Sequence, residues 1–165
     1  MKSFISILSI IDLLVIMIIG PSVLADNTAA VNATVTVQNI SVSVTDGTVA
    51  YGNLSLNSST STCGLSDPQI VTNNGNVAET FNVMGSTSTN WSLGGSAGSE
   101  TYVHKFSSST CPWVTGTALT LAYQTLATNV ASSATTTLNL EVTTPTATTY
   151  FTQQPFSVTV QAVAY

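Results

Sequence analysis

Apolar side chains fall on alternate residues in one stretch of this chain after another. Val31, Ala33, Val35 and Val37 begin the pattern and Ile40, Val42 and Val44 continue it. It returns at Phe81 and Val83, at Leu138, Leu140 and Val142, and at Phe156, Val158, Val160, Ala162 and Ala164. Successive side chains of a strand point to opposite faces, so a two-residue period describes strands with one buried and one wet face. No segment sustains a 3.6-residue apolar period. The chain therefore reads as all-β: a single immunoglobulin-like or jelly-roll-like antiparallel β-sandwich spanning residues 26–165, after an N-terminal signal helix.

Within that plan the apolar parity changes from odd to even between Val37 and Ile40, which predicts a bulge or a switch between sheets at Gln38-Asn39. Asp46-Gly47 predicts a hairpin turn, with residues 49–51 and 54–56 as the return strand. Residues 69–72 lead into a second turn at Asn73-Asn74-Gly75-Asn76, from which residues 77–84 leave as a strand. Trp91 and Leu93 are spaced to share a face, as are Tyr102, His104 and Phe106, and Leu119, Leu121 and Tyr123.

Charge is nearly absent. Charged residues are 5% of the 165, there is no Arg, and Lys2 and Lys105 are the two cations. No basic surface exists to neutralise phosphates, so nucleic-acid binding is excluded. The solvent faces are instead covered by Thr and Ser, which suit strands without adding charge. Edge strands are ordinarily protected from pairing by Lys and other charges. Here either the edges are covered within the subunit or another chain pairs with them.

The first 25 residues read as a secretory signal peptide: Lys2 is followed by an apolar run from Phe4 to Ile19, Gly20-Pro21 breaks it, and Val23-Leu24-Ala25 fits a small-residue cleavage site. The run is shorter than the ~20 residues a membrane span needs and contains Asp12, so no stable span is expected once cleavage after Ala25 has occurred. The remaining chain is expected to be secreted, at the cell surface or beyond it. Its two cysteines, Cys63 and Cys111, have neither metal-ligand nor Cys-x-x-Cys spacing, and in an exported chain they are expected to form one disulfide.

Residues Thr72-Asn73-Asn74-Gly75-Asn76-Val77-Ala78-Glu79-Thr80-Phe81-Asn82-Val83 resemble the strand-turn-strand of secreted bacterial and archaeal immunoglobulin-like modules, including the TasA/camelysin group of matrix-fibre proteins. Asn90-Trp91-Ser92-Leu93 is similar to the first signature of the WxL surface proteins, while the C-terminal residues carry no second Trp-x-Leu. The resemblance implies an extracellular, non-catalytic surface role.

Candidate chemistry is sparse. His104 is the one imidazole, at strand spacing from Tyr102 and Phe106, and is read as a packing or hydrogen-bonding residue. Asp46, Asp67, Glu79, Glu100 and Glu141 lack calcium-loop spacing, so no metal and no cofactor is expected. Sequons at Asn32, Asn39, Asn53, Asn57 and Asn90 are no more numerous than chance predicts for so Ser- and Thr-rich a chain. Residues 94–99 are Gly-rich without a following helix or P-loop Lys, and read as a flexible loop. Trp113, beside Cys111-Pro112, is the candidate aromatic contact for a glycan, the alternative being a ring packed beside the disulfide.

The leading expectation is a secreted, non-catalytic structural protein that forms a homo-oligomer or polymer, a filament or surface layer, through strand pairing. An adhesin or glycan-binding module in contact with cell wall or glycan is the alternative. The segment expected to exchange carries Val31, Val35, Val37, Ile40, Val42 and Val44. Thr34-Val35-Thr36-Val37-Gln38 is similar to Ser157-Val158-Thr159-Val160-Gln161, so the two ends are expected either to pair within one subunit or to exchange between subunits.

Overall fold

The computed structural model describes residues 28–165, and the expected leader lies outside the described residues. Contacts divide the chain into two units, Met1–Thr36 and Val37–Tyr165. In the first, described from Thr28, Val31 and Val35 are exposed and no strand is assigned. The second contains every described strand and is an all-β sandwich.

Ten strands and one short helix follow in order: β1 (Val42–Thr45), β2 (Ser59–Ser61), α1 (Thr62–Leu65), β3 (Gln69–Asn73), β4 (Glu79–Gly85), β5 (Ser92–Leu93), β6 (Thr101–Ser107), β7 (Thr117–Ala118), β8 (Gln124–Val130), β9 (Thr135–Thr143) and β10 (Val158–Ala164). The larger sheet runs β1-β3-β9-β6-β5, with β2 also pairing β9 and β7 pairing β6. The smaller runs β10-β4-β8. Pairing is antiparallel except between β5 and β6, which are parallel.

The alternating side chains meet between the sheets. Phe81 and Val83 from β4 and Leu126 and Val130 from β8 pack against Val71, Leu138, Leu140 and Phe106 of the larger sheet, with Leu119 closing the cluster. Tyr102, His104 and Phe106 share the buried face expected of them. Leu119, Leu121 and Tyr123 do not. Leu119 is buried, but the Thr120 side chain accepts from the Ala122 N–H and donates to Gln124 Oε1, forming a turn that leaves Leu121 and Tyr123 exposed.

The expected hairpin after β1 is also corrected. Asp46 and Gly47 both have positive φ, as a tight two-residue turn requires. Among the described residues no return strand pairs with β1, whose one partner is β3, in register with Val42 opposite Asn73 and Thr45 opposite Ile70. The buried Gln69 side chain takes the turn's polar groups: Oε1 accepts from the Gly47 N–H at 2.8 Å and Nε2 donates to the Thr48 carbonyl at 3.2 Å. Residues 49–57 then run as loop. At the parity change, no strand is assigned to residues 28–41, and β1 starts on the even-numbered set.

Cys63 and Cys111 form a disulfide joining α1 to the loop before β7. Ser61 caps α1, its side chain accepting from the Gly64 N–H. The Gly-rich stretch is tied down rather than loose: the Gly94 N–H donates to the Tyr102 carbonyl and the Gly98 N–H to that of Thr101.

Candidate assembly groove

β1 ends one sheet and β10 ends the other, and the two edges approach across the open side of the sandwich. Each pairs on one side only, with β3 and with β4, among the described residues. Neither strand carries a charged side chain. Between them lies a cavity of about 320 Å³ open to solvent, lined by Val42 and Val44 of β1, Val158 and Val160 of β10, Val49, and Leu138 and Leu140 on its floor. The two leucines are buried, whereas the four strand valines are only half-buried. The groove is therefore a slot of mixed lining, its valines and leucines joined by Ser43, Gln69 and Ser157, with a strand on each side that pairs on its other edge only. That is the environment an additional strand needs: ladder partners for its N–H and C=O groups and pockets for alternate side chains.

One end of the slot is aromatic. His104 is 2% exposed, and its Nε2 lies 2.9 Å from the Tyr51 hydroxyl while Nδ1 has no hydrogen-bond partner. Phe156 stands edge-on to the imidazole at 5.2 Å and lies 4.7 Å from the Tyr102 ring. Burial pushes the His104 pKa down to about 4 and raises those of Tyr51 and Tyr102 above the usual phenol value. These groups hold their neutral forms near pH 7. Among the described residues the one hydrogen-bond partner of the imidazole ring is the Tyr51 hydroxyl.

At the entrance to β1 the turn Asn73–Asn76 grips the incoming chain. Glu79 is fully buried there, Oε1 accepting from the Ser41 N–H at 2.8 Å and Oε2 without a partner. Sequence reasoning placed Glu79 only among dispersed acids. Its partner is 38 residues away, and no local pattern announces such a contact.

No protein-family model, curated protein or solved structure matches this chain. Its functional reading rests on its own residues.

Of the segment expected to exchange, Val31 is 92% exposed, Val35 91% and Val37 80%, Ile40 is less so, and Val42 and Val44 belong to β1 and line the slot. Trp113 is half-buried, and its ring lies so close over Gly116 that a Cβ there would collide with it. Glu100 holds the loop before β10, accepting from the Thr148 hydroxyl and from the Thr149 N–H, and the Thr148 bond leads in keeping its carboxyl below the usual range. Among the described residues, no three of His, Cys, Asp and Glu gather as a metal site, and no helix is long and apolar enough to cross a membrane. The disulfide is compatible with an oxidising extracellular compartment.

Proposed function

We propose that this protein is a secreted, non-catalytic structural subunit that assembles with copies of itself into an extracellular filament or surface layer, the groove of one subunit receiving residues 29–36 of another. The observation that carries this reading is a match of two unsatisfied surfaces. Residues 29–36 have Ala29, Val31, Ala33 and Val35 on one face of an extended chain, with Ala30, Asn32, Thr34 and Thr36 on the other. Such a segment is an amphipathic strand without a sheet. The groove is a sheet edge without a strand. Each Val withdrawn from water on docking contributes about 2 kcal/mol, and the ladder satisfies the open edge. The absence of charge on β1 and β10 removes the usual barrier to pairing between chains.

The mature chain is expected to form multimers, visible by negative-stain microscopy and eluting early in size-exclusion chromatography. Deleting residues 26–38 should abolish them, and the truncated subunit should bind a synthetic peptide of that sequence. A mature chain that stays monomeric at high concentration, or polymers that persist after the deletion, would overturn the reading.

A further inference from the structure

The groove lies beside β1, a few residues downstream of the segment proposed to fill grooves, so the open question is why a subunit does not fill its own. The answer lies in how the chain enters β1. In the β1–β3 ladder Val42 is opposite Asn73 and Ser43 opposite Thr72. Beyond the end of β3 the register continues unbroken. The Asn74 N–H donates to the Ser41 carbonyl at 2.7 Å, and the Asn76 N–H donates to that of Asn39 at 3.1 Å.

The donors on the incoming chain are met by side chains, because the turn carries its own carbonyls away. Asn39 N–H donates to Asn76 Oδ1 and Ser41 N–H to Glu79 Oε1, each at 2.8 Å. Asn76 Nδ2 reaches further, to the Val37 carbonyl at 2.8 Å, and Asn74 Nδ2 donates to Ser43 Oγ. Gly75 sits so close that a Cβ there would strike both Glu79 Oε1 and the Asn39 carbonyl. Residues 37–43 are thus anchored at successive alternate positions as one continuous run.

We infer that the Asn73–Glu79 turn is a clamp that prevents self-insertion and reserves the groove for a second copy. The inference rests on the assembly reading above. To lie beside its own β1, the preceding segment must reverse direction, and the tightest reversal uses two residues. With residues 37–43 committed, the latest such turn is at Val35-Thr36, which sets Thr34 level with Val37 and Ala29 level with Val42. Val31 then stands opposite Ile40, short of the slot, and Val35 is consumed in the turn. A second copy's segment has no such constraint.

Two variants of the mature chain test this. In Asn74→Ala/Asn76→Ala, the two exposed side chains that hold residues 37–43 are lost without touching the core. In the second, a Gly/Ser linker of about ten residues between Thr36 and Val37 leaves every clamp bond in place but gives the segment the length to turn back, at the high effective concentration of a tethered ligand. Both are expected to raise the concentration at which multimers appear at least tenfold, and to leave folded monomers whose residues 29–36 resist proteolysis. Should the linker variant polymerise like the parent chain, the inference is overturned while the assembly reading stands. Should the parent chain polymerise without residues 26–38, the assembly reading itself fails.

Discussion

Reducing the Cys63–Cys111 bridge is expected to lower the free energy of unfolding by about 4 kcal/mol, a large share of the 5–15 kcal/mol typical of a domain. The bridge spans 48 residues of sequence, so opening it returns much loop-closure entropy to the unfolded chain. The loop that carries Cys111 has few other ties to the sheet, the clearest being Asn139 Nδ2 to the Ser109 carbonyl at 2.6 Å. Cys111 is exposed and Cys63 half-buried. Denaturant titrations of the intact protein, with and without reductant, and of Cys63→Ser/Cys111→Ser measure the loss. A change under about 1 kcal/mol would show that residual structure in the unfolded chain already holds these segments together.

Strands whose alternation is long enough were legible from the residues. β4 and β9 bury the apolar side chains that the two-residue period selects, because each packs one face on the core, while β10, an edge strand, leaves Val158, Val160 and Ala162 half-buried and Ala164 exposed. The alternation at residues 119–123 was too short to separate a strand from a turn, and the Thr120 side chain decided for the turn. Gln69 settled the fate of the hairpin after β1 from 22 residues away, through a hydrogen bond that no local pattern encodes. α1 has four residues, fewer than any apolar period can register, although its cap Ser61 was in plain view.

The candidate site divides in the same way. The amphipathic segment at residues 29–36 and the uncharged ends were visible as patterns along the chain. The groove was not, since it arises from which strands fail to pair, a property of topology. The similarity between residues 34–38 and 157–161 left both closure within one subunit and exchange between subunits open. In the fold, β10 pairs with β4 and no strand is assigned to residues 34–38, and the register continuing from β1 past the Asn73–Asn76 turn bears on the choice.

Acidification is expected to destabilise the subunit well before its carboxylates titrate, and His104 is the cause. An imidazolium carries a hydrogen on both ring nitrogens. In the fold the ring is buried among Tyr51, Tyr102 and Phe156, Nε2 faces the Tyr51 hydroxyl and Nδ1 has no acceptor. The neighbouring cation, Lys105, is tied to Glu141 at 3.1 Å, and burial holds Tyr51 and Tyr102 in their neutral forms. Charging the ring therefore costs desolvation and leaves an unpaired donor, which is why its pKa falls to about 4. In the unfolded chain the same histidine protonates near pH 6.5. Between those values the unfolded state binds the extra proton, so stability is full above about pH 6.5 and declines as the pH falls toward 4. The loss should reach about 2 kcal/mol by pH 5, where ordinary carboxylates are still largely ionised, and about 3 kcal/mol near pH 4. His104→Gln retains a polar partner for Tyr51 but no imidazole, and should flatten the profile between pH 6.5 and 5. Denaturant midpoints across that range decide the matter: an intact protein equally stable at pH 7 and pH 5 would mean that water or a shifted ring accommodates the charge.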